Sequence, residues 1–240
     1  VGLVTGSAAG LLIGVLQANL SHRISIDQFV VGIVLVILVQ GLTSFLIDST
    51  QLDVVPVAAS WHLPLLSRIP IVGQALFAEP WPFDAVYVVI PLVAYLLHRT
   101  RWGLEVRSAG EDPVAARATG VASNRRRRQA VELCGLLSGY AGAMLAVAIV
   151  GAVSDDMTAG VGYIAIAAVL LGGWSVRGTV LGCVLFGTVE GLSVALPTLG
   201  VPVNGQLLVV APYVVVLLAA PLVAWRRHRP EALGVSFVGR

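Results

Sequence analysis

Arg99–Arg128, RTRWGLEVRSAGEDPVAARATGVASNRRRR, is the stretch that organises the chain. It holds eight of the fifteen basic residues. On its N-terminal side runs YVVIPLVAYLLH (Tyr87–His98), and on its C-terminal side QAVELCGLLSGYAGAMLAVAIV (Gln129–Val150). An arginine-rich island between such flanks marks a loop between membrane spans. The rest of the chain agrees: it is 57% hydrophobic and 12% charged, with a mean hydropathy of +0.90. A soluble domain carries about a quarter charged residues. The expected class is therefore an all-α, polytopic transmembrane bundle forming one domain over 1–240.

Seven apolar segments are expected, near 2–20, 29–47, 83–98, 130–152, 157–175, 178–197 and 205–225. Most approach the roughly 20 residues that carry a helix across a bilayer core. The third is short and contains Pro91. The fifth and sixth are separated only by Gly172-Gly173-Trp174-Ser175-Val176-Arg177, so 157–197 reads as two full spans or as half-helices meeting at a re-entrant break. The first segment lacks a basic leader and a cleavage site, and reads as a span and not a signal peptide.

All fifteen basic residues besides histidine are arginines, and their placement sets the sidedness. With 99–128 in the cytoplasm, Arg23, Arg177, Arg226, Arg227, Arg229 and Arg240 also fall inside, leaving Arg68 outside. The loop and the tail are thus cytoplasmic, and residue 1 is external. An upstream region with at least one further span is expected on that topology. The outer loop 48–82, with five prolines and many aliphatics, is expected to form a structured cap.

Small residues recur at helical spacing: Gly6-Gly10-Gly14, Gly135-Gly139-Ala143, Gly178-Gly182 and Gly187-Gly191. Such runs let helix backbones approach closely, within the chain or against a second subunit. Cys134 and Cys183 lie in apolar segments and are expected to be buried small hydrophobes.

Inside the island, Gly110 to Gly120 reads as a helix of about two turns over 111–120. Asp112 is an N-cap residue and Pro113 suits the first helical position. Ala115, Ala116 and Ala118 favour helix, and Gly120 sits where a C-terminal glycine belongs. So short a helix is marginal alone and needs a surface to pack on. Its small alanine face fits a groove, with Glu111, Asp112 and Arg117 at the rim. The competing reading is a connector on anionic headgroups, drawn there by Arg125–Arg128.

On these residues the chain resembles bacterial ABC-transporter permeases of the branched-chain amino acid, ribose and nucleoside importer superfamily. Trp102-Gly103-Leu104-Glu105-Val106-Arg107-Ser108-Ala109-Gly110-Glu111-Asp112-Pro113, with Ala115-Ala116 and Thr119-Gly120-Val121, is similar to that family's coupling-helix segment. Met157-Thr158-Ala159-Gly160-Val161-Gly162-Tyr163-Ile164-Ala165-Ile166-Ala167 and Gly172-Gly173-Trp174 resemble a stretch of the nucleoside and simple-sugar permeases. Gly41-Leu42-Thr43-Ser44-Phe45-Leu46 resembles an early span of the guanosine type. Asp112 departs from the family's usual Asn, and Val176-Arg177 stands where a Pro-containing pair is common.

The resemblance implies a plasma-membrane importer for a nucleoside or related sugar-like solute, with branched-chain amino acids and simple sugars as runners-up. It implies three partners: a separate ATP-binding subunit, a second permease subunit, a paralogue in many systems, and an extracellular substrate-binding lipoprotein. In that reading Gly110, Glu111, Asp112, Pro113, Ala115, Ala116, Arg117, Thr119 and Gly120 couple the chain to the ATPase. No cofactor is expected on this chain itself: a GxxxxGK[ST] loop requires lysine, which is absent. No nucleic-acid partner is expected, and lipid is the surrounding solvent.

Ionisable groups within spans are functional candidates. Glu190 reads as a packing carboxylate or as a group lining the solute pathway. Trp174, in the turn with Gly172 and Gly173, reads as an interface anchor or a pathway-side gate. Glu132 reads as an ion-pair partner of the arginine run, and Asp155 and Asp156, with Thr158, as caps of the following helix. No catalytic triad or metal-ligand spacing is evident, so a membrane-embedded enzyme or scaffold without an ATPase is the weaker class.

Overall fold

A computed structural model describes residues 1–23, 27–50, 80–150, 157–158, 160–200, 210, 214 and 230–232. The described elements are helical: α1 (Gly2–Arg23), α2 (Gln28–Thr50), α3 (Asp84–Arg99), α4 (Arg101–Glu111), α5 (Pro113–Ala118), α6 (Ser123–Met144) with a π-helical continuation (Leu145–Val150), α7 (Val161–Leu171) and α8 (Val176–Thr198). The chain packs as two compact units, one of Val1–Met157 with Glu231–Arg240 and one of Thr158–Pro230.

Among the described residues, four helices are long and apolar enough to cross a membrane: Gly2–His22, Gln28–Thr50, Ser123–Ala148 and Val176–Thr198. That is fewer than the seven segments expected. The third segment is α3, whose 16 residues reach about 24 Å against a hydrocarbon core of about 30 Å. The fifth is α7, with only 11 residues, because Gly160 at φ +79° and Gly172 bound it. The seventh segment lies outside the described residues, apart from Val210 and Val214. The same holds for most of the 48–82 loop and for Asp155 and Asp156; α7 begins after Gly160 with no side-chain cap.

The first unit is built on α1 and α6, which run antiparallel with their glycine runs in register. A Cβ added at Gly10 would meet the Gly139 Cα at 2.6 Å, and one at Gly14 would meet the Gly135 Cα at 3.3 Å. One added at Gly6 would meet Ala143 and the Gly139 carbonyl. The two runs therefore serve each other within one chain. Backbone contact replaces side-chain packing here, as close helix pairs in lipid require. The same register brings the His22 end of α1 beside the first turns of α6, so the arginine run starts where α1 stops.

The outward surface of this unit is apolar. On α2 only Val31 and Leu35 are buried, while Phe29, Val30, Ile33, Val34, Val36, Ile37, Leu38, Leu42, Phe45 and Leu46 are exposed. In water so large an apolar face is unsustainable; against acyl chains it costs nothing. The same logic corrects the cysteines. Cys134 on α6 and Cys183 on α8 are free and exposed, because in a span the outside is as apolar as the inside.

The second unit contains the α7–α8 hairpin. The Val169 and Leu170 carbonyls accept from the Trp174 and Gly173 amides at 3.2 and 3.0 Å, closing α7 in a Schellman motif. Gly173 (φ +59°) and then Trp174 (φ +57°) are both left-handed. Ser175 caps α8, accepting from the Gly178 amide at 3.3 Å while its hydroxyl donates to the Gly172 carbonyl at 2.8 Å. The reversal is tight enough that a Cβ on Gly172 or Gly178 would strike the other strand of the turn. Gly182 continues the seam against Ala168, whereas Gly187 and Gly191 face open space.

Candidate functional site

The arginine island is folded almost throughout. Thr100 is extended (φ −108°, ψ 156°) and joins α3 to α4 with one hydroxyl, donating to the Leu96 carbonyl at 2.5 Å and accepting from the Gly103 amide at 3.1 Å. Gly103 is buried against the end of α3, where a Cβ would overlap the Leu96 and Leu97 carbonyls. The chain thus turns sharply from α3 into α4, a helix that sequence reading of the island did not anticipate.

Polar groups fix α4 to α6. Glu105 and Arg126 pair at 2.5 Å. Gln129 Oε1 accepts from Arg126 at 2.9 Å and from the Trp102 indole N–H at 3.0 Å. Ala109 is fully buried at the far end of α4. Arg128 pairs with Glu132 at 2.7 Å along α6, giving Glu132 its ion-pair role.

Asp112 then breaks the helix and restarts it. Its amide donates to the Ser108 carbonyl at 3.1 Å, closing α4, and its carboxylate accepts from the Val114 and Ala115 amides at 2.8 and 3.0 Å, opening α5. Pro113 fills the first helical position, where no N–H is needed. At the other end, Gly120 stands at φ +88°, its amide donating to the Arg117 carbonyl and that of Val121 to the Ala116 carbonyl, a second Schellman motif. Thr119 Oγ1 donates to the Ala116 carbonyl at 2.8 Å. The caps are where the sequence places them; the helix they enclose is six residues, Pro113–Ala118, shorter than the 111–120 expected.

This short turn does not stand free. Pro113 and Ala116 are buried, and the buried Ser123 hydroxyl donates to the Pro113 carbonyl at 3.0 Å, tying α5 to the start of α6. The Gly110 carbonyl accepts from the Ala232 amide at 3.1 Å, so a piece of the tail lies on the α4 end. Glu111, Asp112, Val114, Ala115, Ala118, Thr119 and Gly120 are exposed, and Arg117 is half-buried. The three alanines therefore divide: Ala116 anchors the turn, while Ala115 and Ala118 join Val114 in a small outward face.

The pathway candidates lie in the other unit. Glu190 is exposed on α8, on the stretch where Gly187 and Gly191 also meet open space. Trp174 is 37% exposed in the α7–α8 turn, with Gly172 and Gly173 forming the turn itself. Among the described residues no three His, Cys, Asp or Glu side chains converge as a metal site.

Comparison with known proteins matches this sequence to a family. A profile described as branched-chain amino acid transport system / permease component matches residues 1–224. The nucleoside ABC transporter permease NupC of Lactococcus lactis is 32% identical over 98% of this chain and 77% of its own length. The guanosine ABC transporter permease NupQ of Bacillus subtilis is 28% identical over 98% of this chain and 76% of its own. The ribose import permease RbsC of Escherichia coli K12 is 31% identical over 90% of this chain and 65% of its own. No solved structure matched. The chain belongs to the ABC-transporter permease family of the branched-chain amino acid type, whose members are multi-pass membrane transport subunits and not enzymes.

Proposed function

We propose that this chain forms the solute pathway of an ATP-driven importer for a nucleoside or related sugar-like solute, in a bacterial plasma membrane. The observation that carries the substrate class is the 32% identity to a nucleoside permease across nearly the whole chain. The glycine-rich helix seams and few charged groups suit an uncharged polar solute. Glu190, Trp174, Gly172 and Gly173 are the pathway candidates.

The α4–α5 turn is the coupling element. It is closed by a cap at each end, held to spanning α6 by Ser123 and Glu105–Arg126, and leaves Val114, Ala115 and Ala118 facing outward. A partner that pushes on this face moves α6 and not a slack loop. That partner is a separate ATP-binding subunit; a second permease subunit and an extracellular binding protein complete the importer. The Arg23 end of α1, the arginine run of α6 and the tail piece at Ala232 all gather at one end of the first unit, which supports a cytoplasmic loop and tail.

Uptake of labelled nucleosides, ribose and branched-chain amino acids, measured in cells carrying the complete transporter, tests the solute class. ATP-dependent accumulation of a nucleoside, competed by other nucleosides, is the expected result. Accumulation of leucine alone refutes it, and accumulation of ribose without any nucleoside replaces the nucleoside with the runner-up simple sugar.

A further inference from the structure

The break between α4 and α5 leaves backbone acceptors behind it. In an unbroken helix the Gly110 carbonyl accepts from the amide four residues on, that of Val114. Here Asp112 takes that amide for its own carboxylate at 2.8 Å, and the Ala115 amide with it at 3.0 Å. Pro113 brings no N–H at all. The carbonyls of Ala109, Gly110 and Glu111 thus lose their helical donors to the same residues that open α5.

The Gly110 carbonyl regains a donor from far along the chain: the Ala232 amide, at 3.1 Å. Glu231 and Ala232 stand in a turn and belong to no helix, yet Ala232 is only 8% exposed and Gly110 is half-buried. At so covered a spot a broken bond is poorly replaced by water.

The route of the chain gives this bond its weight. The two compact units are joined covalently twice, at Met157–Thr158 and at Pro230–Glu231. The second junction immediately precedes Ala232. The coupling turn is therefore tied on both sides of its break. Pro113, at the start of α5, is held to spanning α6 by Ser123 at 3.0 Å. Gly110, near the end of α4, is held to the chain as it leaves the second unit. Glu190 and Trp174, the pathway candidates, belong to that unit.

We propose that Glu231–Ala232 is a positioning strap for the coupling turn, carrying its displacement into the second unit through the Gly110–Ala232 hydrogen bond. The proposal rests on the α4–α5 turn being the coupling element. Ala232 is a positioning residue: it acts on the solute pathway through the turn and the chain that precedes it.

The test uses the complete transporter in proteoliposomes. Uptake of labelled guanosine, or of ribose should the solute be the sugar, is measured with ATP hydrolysis and with recovery of the ATP-binding subunit. Ala232→Pro removes the donor N–H. Ending the chain at Pro230 removes the strap outright and serves if Ala232→Pro does not assemble. Both should keep the ATP-binding subunit bound and hydrolysing at the parent's level. Solute taken up per ATP hydrolysed should fall about three- to tenfold, the population shift that one neutral hydrogen bond sustains. Ala232→Gly, which keeps the N–H, and a chain ended at Gly234 should behave as the parent does. Parent-like uptake per ATP in both strap variants overturns the proposal. So does a fall in uptake only in proportion to lost ATP-binding subunit, which would make the tail a support for assembly. Replacing Gly110–Gly120 by a flexible Gly-Ser segment separates this proposal from the reading beneath it. Full recovery of the ATP-binding subunit with that segment sinks the coupling reading; its loss, with strap variants that match the parent, sinks the strap alone.

Discussion

The Glu105 carboxylate meets the Arg126 guanidinium at 2.5 Å, and through this pair α4 and a spanning helix share a polar joint. Both side chains are partly exposed, so the pair contributes to stability only modestly, about 1 kcal/mol or less. Its value is geometric. Glu105→Gln should lower the thermal midpoint little while reducing ATP-driven uptake several-fold. The exchange Glu105→Arg with Arg126→Glu should recover part of the loss. Uptake and thermal unfolding on the same preparations separate the two effects; a parallel fall in both would make the pair merely structural.

The glycine seam between α1 and α6 should tolerate no methyl group. Gly10→Ala places a Cβ against the backbone of Gly135 and Gly139, neither of which is a flexible side chain. A destabilisation of about 1–3 kcal/mol is expected, the usual cost of overpacking. Gly187→Ala, where a Cβ meets nothing within 4 Å, should change stability by less than about 0.5 kcal/mol. Thermal unfolding of the two variants in detergent checks the contrast.

The caps of α5 should matter through uptake as well as stability. Asp112→Ala removes the acceptor for the Val114 and Ala115 amides and should cost about 0.5–2 kcal/mol locally. Asp112→Asn keeps the acceptor oxygen and should transport nearly as the parent does. Gly120→Ala forces a side chain into φ +88° and should cost about 1 kcal/mol or more. Initial uptake rates, ranked parent and Asp112→Asn above Gly120→Ala and Asp112→Ala, are the check.

Glu190 offers a direct probe of the pathway. Glu190→Gln preserves shape and removes charge at an exposed position of α8. If Glu190 touches the solute, the KM for uptake rises, with transporter abundance in the membrane unchanged. An unaltered KM and maximal rate would take it out of the pathway.

How much of this was legible in the sequence follows from how local each feature is. Asp112, Pro113 and Gly120 could be read as caps because a cap depends on the residue and its nearest amides. The helix α4 was harder to read, although Trp102, Val106 and Ala109 stand at i, i+4 and i+7: the stripe is only two turns long in a polar segment, and its place comes from Thr100, Gly103, Ala109 and the Glu105–Arg126 pair. Thr100 three residues before Gly103 was a cap signal available in the sequence. The spacing of Gly6-Gly10-Gly14 announced a close helix contact, but only the fold shows that Gly135-Gly139-Ala143 answers it. Apolar runs marked the spans, yet not their helical lengths: Gly160 shortens α7 to 11 residues, well below a bilayer's thickness. Ala116 looked like part of a docking face, yet it is buried, in a turn whose Pro113 carbonyl is tied to Ser123, ten residues on and in another helix.

The central claim is that the α4–α5 turn holds the ATP-binding subunit. The most direct measurement is the amount of that subunit recovered with the permease when the native complex is purified from membranes. The account predicts recovery near one ATP-binding subunit per permease for the parent chain. It predicts near-complete loss when Gly110–Gly120 is replaced by a flexible Gly-Ser segment, with the permease still inserted. Undiminished recovery with the replaced segment would contradict it.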